Sequence, residues 1–145
     1  MILDGIEDPH NLGSILRVCE CAGVHGVIIP KNRAASVNDT AVRTSAGASQ
    51  YVKVARVANL SNAIATLKKA GLWVFCADMD GREITECNLK GPLALVVGGE
   101  DRGVSRLVRE NCDGAVSLKM KGKINSLNAS VACGVAVYEA LRQRG

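Results

Sequence analysis

The runs GVIIP (Gly26–Pro30) and LALVVGG (Leu93–Gly99) contain no polar side chain. A strand with one wet face alternates apolar and polar residues, so an unbroken apolar run marks a strand covered on both faces. Sheets covered on both faces are parallel in most cases, and parallel strands need long crossovers, usually helices. The rest of the chain supplies them. Ile2–Leu3 reads as a short strand closing at Asp4–Gly5. DPHN is turn chemistry, with Asn11 as a candidate helix cap. Leu12, Ile15, Leu16, Cys19 and Ala22 then recur at helical spacing until Gly23. The pattern predicts a helix over Val37 to Ala46, a strand in YVKVARV, and a helix from Asn59 or Ser61 to Lys69. It continues with a strand in LWVFCAD, a helix over Ser105 to Asn111 and a strand in GAVSLKM. A final helix over Leu127 to Arg144 carries Val131, Val135, Tyr138 and Leu141 on one face. Strand and helix alternate throughout. The expectation is a single α/β domain, 1–145, with a parallel sheet flanked by helices.

Hydrophobic residues make up 48% of the 145 but aromatics only 3%, so the core must be aliphatic. A net charge of +4 suits an anionic partner such as RNA without requiring one. The six cysteines form no C-x-x-C pair, and His10 and His25 complete no cluster with them. They read as small buried hydrophobes of a reducing cytoplasm, and no metal site is expected. No apolar run is long enough to span a membrane. The chain opens on MILDGI, already strand-like, which suggests that a segment once preceded it.

Ligands of parallel sheets bind beyond the carboxyl ends of the strands. The loops to inspect therefore follow Leu3, Ile29, Ala77, Val97 and Leu118. The first, DGIEDPHNLGSILR, lacks the G-x-G-x-x-G of a dinucleotide site. It leads to Arg17, which belongs either to a structural ion pair or to a cleft that needs a permanent cation. The second, LALVVGGEDRGVS, has the glycine spacing of a phosphate-binding loop, but Val104 stands where the lysine belongs. Glu100 and Asp101 would repel a triphosphate and tolerate a cationic, phosphate-free ligand such as S-adenosylmethionine, while Gly98 and Gly99 would let it approach the backbone. Asp101 and Arg102 read as solvated surface. The third, LKMKGKINSLNASVACG, places Lys119, Lys121 and Lys123 before a polar stretch in which Ser126 and Asn128 can cap the last helix or face a cleft. Ala129, Ala132, Gly134 and Ala136 allow that helix to pack closely, within the chain or against another subunit.

Together, DPHNLGSILRVCECAGVHGVII, LALVVGGEDRGVS and LKMKGKINSLNASVACGVAVYEALRQR resemble, in order and spacing, the three motifs of the SpoU (TrmH-like) family of SPOUT RNA 2′-O-ribose methyltransferases. The likeness covers nearly the whole chain and is greatest to the bacterial subgroup that modifies a guanosine of 23S ribosomal RNA. It implies an α/β fold whose C-terminal segment forms a deep trefoil knot, a homodimer, S-adenosylmethionine as cofactor and RNA as substrate. The cofactor residues it implies are Gly98, Gly99, Leu118, Met120, Ser126 and Leu127, with Thr44 to Ala48 nearby. The catalytic residues it implies are Asn11, Arg17, Glu100, Ser126 and Asn128, with Asn11 and Glu100 holding Arg17 and the loop. Arg17 is often described as a general base in the family. Its pKa above about 12 favours instead an electrostatic and positioning role.

Lys31, Arg33, Arg43, Lys119, Lys121 and Lys123 are the candidate RNA contacts. Two features depart from the family pattern. Lys119 stands where a proline is usual, and the N-terminal RNA-binding domain common in the subgroup has no counterpart here. Three other readings compete: a transfer RNA methyltransferase of the same family, a catalytically silent RNA-binding or assembly protein, and an NTPase. The missing lysine and the acids at 100 and 101 weigh against the last.

Overall fold

The computed structural model describes residues 1–145. Six parallel strands lie in the order β3-β2-β1-β5-β4-β6: β1 (Ile2–Asp4), β2 (Gly26–Pro30), β3 (Lys53–Val57), β4 (Trp73–Glu83), β5 (Leu93–Gly98) and β6 (Gly114–Ser117). The crossovers are α1 (Pro9–Cys21), α2 (Asp39–Thr44), α3 (Leu60–Lys69) and α4 (Arg106–Asn111), and α5 (Ala129–Arg144) ends the chain. Short 3-10 turns occupy Ala48–Gln50 and Ile84–Glu86. No helix is long and apolar enough to cross a membrane.

Each helix starts where its local chemistry allows. Asp8, not Asn11, caps α1: its carboxylate accepts the His10 N–H at 2.8 Å, and Pro9 fills the first helical position, where no N–H is needed. Asn11 is thereby placed inside the first turn with its amide free. Asn38 and Asn59 cap α2 and α3. Asn128 caps α5, accepting from the N–H groups of Ser130 at 2.9 Å and Val131 at 3.3 Å. Several elements are shorter than their patterns predict. α2 spans only Asp39–Thr44, β6 stops at Ser117, and α5 begins at Ala129. The residues shed at these ends belong to the loops that carry polar function.

The apolar strands divide two cores. On one face α1 and α5 cover Leu3, Val27, Ile29, Leu95 and Val97 with Leu12, Ile15, Leu16 and Cys19 from α1 and small residues of α5. On the other, α3 and α4 pack Leu60, Ile64 and Val108 onto Ile2, Val74 and Val96. The two faces of α5 meet different surroundings. Ala129, Cys133, Ala136, Val137 and Ala140 turn inward, whereas Val131, Val135, Tyr138 and Leu141 remain 40–49% exposed. Of the six free cysteines, Cys19, Cys76 and Cys133 are buried, but Cys21 is exposed; two residues past Cys19, it turns off the apolar face of α1.

The strand order fixes where a ligand can sit. The chain moves outward from β1 through β2 to β3, then returns to the far side through β4 and β5. The loops after neighbouring β1 and β5 therefore leave in opposite directions and open a crevice between them. A second irregularity borders it. β4 pairs Ala77 with Val116 and then Arg82 with the same Val116, so residues 78–81 bulge out of the sheet.

Candidate functional site

At the crevice, three side chains from three loops meet. Asn11 Nδ2 donates to Glu100 Oε1 at 3.2 Å, and Asn128 Nδ2 donates to the same oxygen at 3.0 Å and to Asn11 Oδ1 at 3.1 Å. The Ala129 N–H points to Glu100 Oε1 at 3.4 Å, so an acid also sits at the positive end of α5. Residues 11, 100 and 128 are far apart in sequence, and the network joins the entry of α1, the loop after β5 and the start of α5.

Beside it lies a cavity of about 360 Å³. All six residues expected at a cofactor, Gly98, Gly99, Leu118, Met120, Ser126 and Leu127, line it, as does Glu100. Ala77, Asp78 and Met79 form a further wall, at the loop after Ala77 that the strand ends marked for inspection, although no residue there was singled out. Asp101 and Arg102 are exposed, as expected, and they also border the cavity. The Thr44 to Ala48 segment does not line it. It packs under α1, where a Cβ on Gly13 would lie 2.6 Å from the Ala41 carbonyl and 2.6 Å from Thr44 Cβ.

The two glycines are required by the turn itself. A Cβ on Gly98 would stand 2.1 Å from the Gly103 carbonyl carbon, and one on Gly99 would stand 2.6 Å from the Gly5 carbonyl oxygen. The space in the Cβ direction is filled by the protein's own backbone, while both residues also border the cavity. Gly103 N–H donates to Gly99 O at 2.8 Å, folding the loop back upon itself. Such a turn has no open cradle for a triphosphate. Asp4 anchors it from β1: its carbonyl accepts from Gly99 at 3.0 Å and its carboxylate from the Ser105 N–H at 2.8 Å.

Arg17 stands outside the network. It is exposed and makes no ion pair or hydrogen bond within the chain, which removes the structural ion-pair reading. Asn11 and Glu100 do not hold it, because six residues along a helix carry it about 9 Å up the axis and roughly 240° round from Asn11. Lys31, Arg33, Arg43, Lys119, Lys121 and Lys123 are all exposed and free of acidic partners. Lys119, Lys121 and Lys123 share the connection between β6 and α5, next to the cavity.

Fold and site together define an α/β domain of parallel strands with a cavity at the topological switch point of its sheet. More particularly, the chain belongs to the SpoU rRNA Methylase family, whose model matches residues 1–138. It is 46% identical over 145 residues to the 23S rRNA (guanosine-2′-O-)-methyltransferase RlmB of Ralstonia nicotianae, and 48% identical to that of Xanthomonas axonopodis pv. citri. Each match covers 99% of this chain but 58% of the relative, so the chain spans well under two thirds of their length. Among solved structures it is similar to the SpoU methyltransferase AviRb of Streptomyces viridochromogenes in complex with AdoMet. That likeness has a TM-score of 0.91 and 33% identity, covering 99% of this chain and 56% of that one. It is also similar to the A. aeolicus TrmH/SpoU tRNA modifying enzyme, with a TM-score of 0.89 and 29% identity, covering 99% and 73%.

Proposed function

We propose that this chain is the catalytic domain of an S-adenosylmethionine-dependent RNA 2′-O-ribose methyltransferase acting on a guanosine of 23S ribosomal RNA in the cytoplasm. The observation that carries the reading is the Asn11–Glu100–Asn128 network beside a cavity lined by all six expected cofactor residues. The cavity suits the cofactor: Leu118, Met120 and Leu127 offer apolar walls to adenine, and the acids Glu100 and Asp101, neither paired with a cation of the chain, favour a cation. When bound, S-adenosylmethionine supplies a methyl group already activated by its sulfonium.

The chain's own residues have two tasks, to place the ribose oxygen and to ease loss of its proton. Arg17, permanently charged and unpartnered, contacts the target ribose or its phosphate and stabilises the developing alkoxide. Asn11 and Asn128 hold Glu100, and through it the loop after β5, in register with the start of α5. Ser126 faces the cavity and orients cofactor and nucleotide. Lys31, Arg33, Arg43, Lys119, Lys121 and Lys123 supply the electrostatic part of RNA binding. The connection over 118–128, which passes beside the loop after β5 before α5 packs on α1 and β5, is read as the crossing of a trefoil knot. The outward Val131, Val135, Tyr138 and Leu141 are read as a homodimer face.

The test offers labelled methyl donor with unmodified ribosomal RNA and, separately, transfer RNA, and maps the labelled nucleotide. Label on a 23S guanosine ribose is expected. Label on transfer RNA alone would move the substrate, and a chain that binds S-adenosylmethionine yet labels neither RNA would overturn the reading. Arg17→Ala should abolish transfer while leaving cofactor affinity within about twofold; near-normal turnover would remove Arg17 from the mechanism.

A further inference from the structure

The β4 bulge is the one wall of the cavity that no motif explains, and its path is fixed at both ends. At its close, a Cβ on Gly81 would meet the Ala115 carbonyl carbon at 2.6 Å and the Val116 nitrogen at 2.7 Å, so the chain returns to β6 through a gap only glycine fits. At its start, Asp78 turns the backbone by accepting the Asp80 N–H at 2.9 Å on Oδ1. The other carboxylate oxygen takes Arg109 Nη1 at 2.8 Å. The pair is partly sheltered, with the Asp78 side chain only 18% exposed, so water weakens it less than a fully exposed pair. Arg109 lies in the last turn of α4, the helix that follows directly on the loop from Gly98 to Ser105. One ion pair thus ties the bulge wall, Ala77 to Met79, to the element that carries the opposite wall.

We propose that Asp78 and Arg109 together act as a positioning pair for the cofactor, setting the width of its cavity by clamping the β4 bulge to α4. This rests on the reading of the cavity as an S-adenosylmethionine site. Neither residue belongs to the polar network at residues 11, 100 and 128, so the pair should govern cofactor affinity and not the methyl-transfer step. Asp78 keeps its turn but loses its cation when replaced by Asn, and Arg109→Lys preserves the charge while giving up the planar fork.

Calorimetry with S-adenosylmethionine and S-adenosylhomocysteine, at a temperature well below unfolding of every variant, tests it. Asp78→Asn and Arg109→Met should each weaken both ligands by about tenfold, the double variant no further than either single one, and Arg109→Lys should recover most of the loss. With RNA, the cofactor KM should rise while kcat stays within about twofold. A merely structural role would lower the melting temperature and leave the affinities alone. Affinities within twofold of the parent, or losses that add in the double variant, would overturn the inference. Failure of the parent chain itself to bind either ligand would instead remove the cofactor reading, and this inference with it.

Discussion

Replacing Gly98 by alanine should damage the protein more than its mild chemistry suggests. The new Cβ would stand 2.1 Å from the Gly103 carbonyl carbon and 2.3 Å from both the Gly103 oxygen and the Val104 nitrogen. Every one of these is backbone, so no side chain can swing aside. Ordinary contact begins near 3.4 Å, and the two arms of the turn must part by roughly an ångström to reach it. Overpacking of this kind costs about 1–3 kcal/mol. Loss of the 2.8 Å hydrogen bond from Gly103 to Gly99 adds about 0.5–1.5 kcal/mol. The sum, about 1.5–4.5 kcal/mol, corresponds to a fall in Tm on the order of 10 °C for a chain of this length. Cofactor affinity should fall with it, because Glu100 and the cavity wall move with the turn. Gly91→Ala is the control: nothing lies within 4 Å of its Cβ position, and its effect should stay within about 0.5 kcal/mol. Thermal and denaturant melts of the two variants, with calorimetry against S-adenosylmethionine, make the comparison. A Gly98→Ala protein that melts with the Gly91→Ala control would refute the claim that backbone closure demands this glycine.

Replacing Lys119, Lys121 and Lys123 together by alanine should weaken RNA binding and lower the slope of log affinity against log salt by about 2–3. A filter-binding series across salt concentrations that leaves the slope unchanged would show that these lysines do not meet phosphate. Stability should also depend on pH through Glu139, whose carboxyl is held down to about 2 by hydrogen bonds from Arg142 and then Gln143. Because the folded pKa lies below the ordinary 4.5, the stabilisation is complete above that value and is lost as pH falls toward about 2. Melts between these limits should show this loss in the parent and its absence in Glu139→Gln.

Much of the fold was legible because burial on both faces leaves a mark that no other arrangement shares. Val27 and Ile29, and Leu95 to Val97, are buried as their apolar runs require. The β4 bulge was not legible for the same reason in reverse. LWVFCAD reads as a strand that simply ends, and Asp78, Asp80 and Gly81 have the chemistry of a turn. Only the return of Arg82 to the partner that Ala77 had already used reveals a continuing strand. Helix ends drifted wherever a polar loop residue was also a tolerable helix former. Leu127 and Asn128 fit the pattern of α5, but Asn128 closes the helix by accepting from Ser130 and Val131.

The site shows a sharper limit. Chemical type identified Asn11, Glu100 and Asn128 as candidates, yet nothing in their types says which of them touch. Asn11 was open to a structural role until Asp8 took the cap and released it. Arg17 has the opposite history. Sequence placed it in the same set, and helix geometry separates it, turning it onto another side of α1 with no acid to hold it. A cation that the chain itself leaves unpaired is available to an anion brought from outside. The network at residues 11, 100 and 128 has no such freedom, since Glu100 Oε1 already receives two amide side chains and the first N–H of α5. Under the proposed function the two groups divide the work: the network fixes the cavity, and Arg17 meets the substrate. Loss of Asn128 should then disturb cofactor affinity and stability together, whereas loss of Arg17 should disturb neither and still stop the reaction.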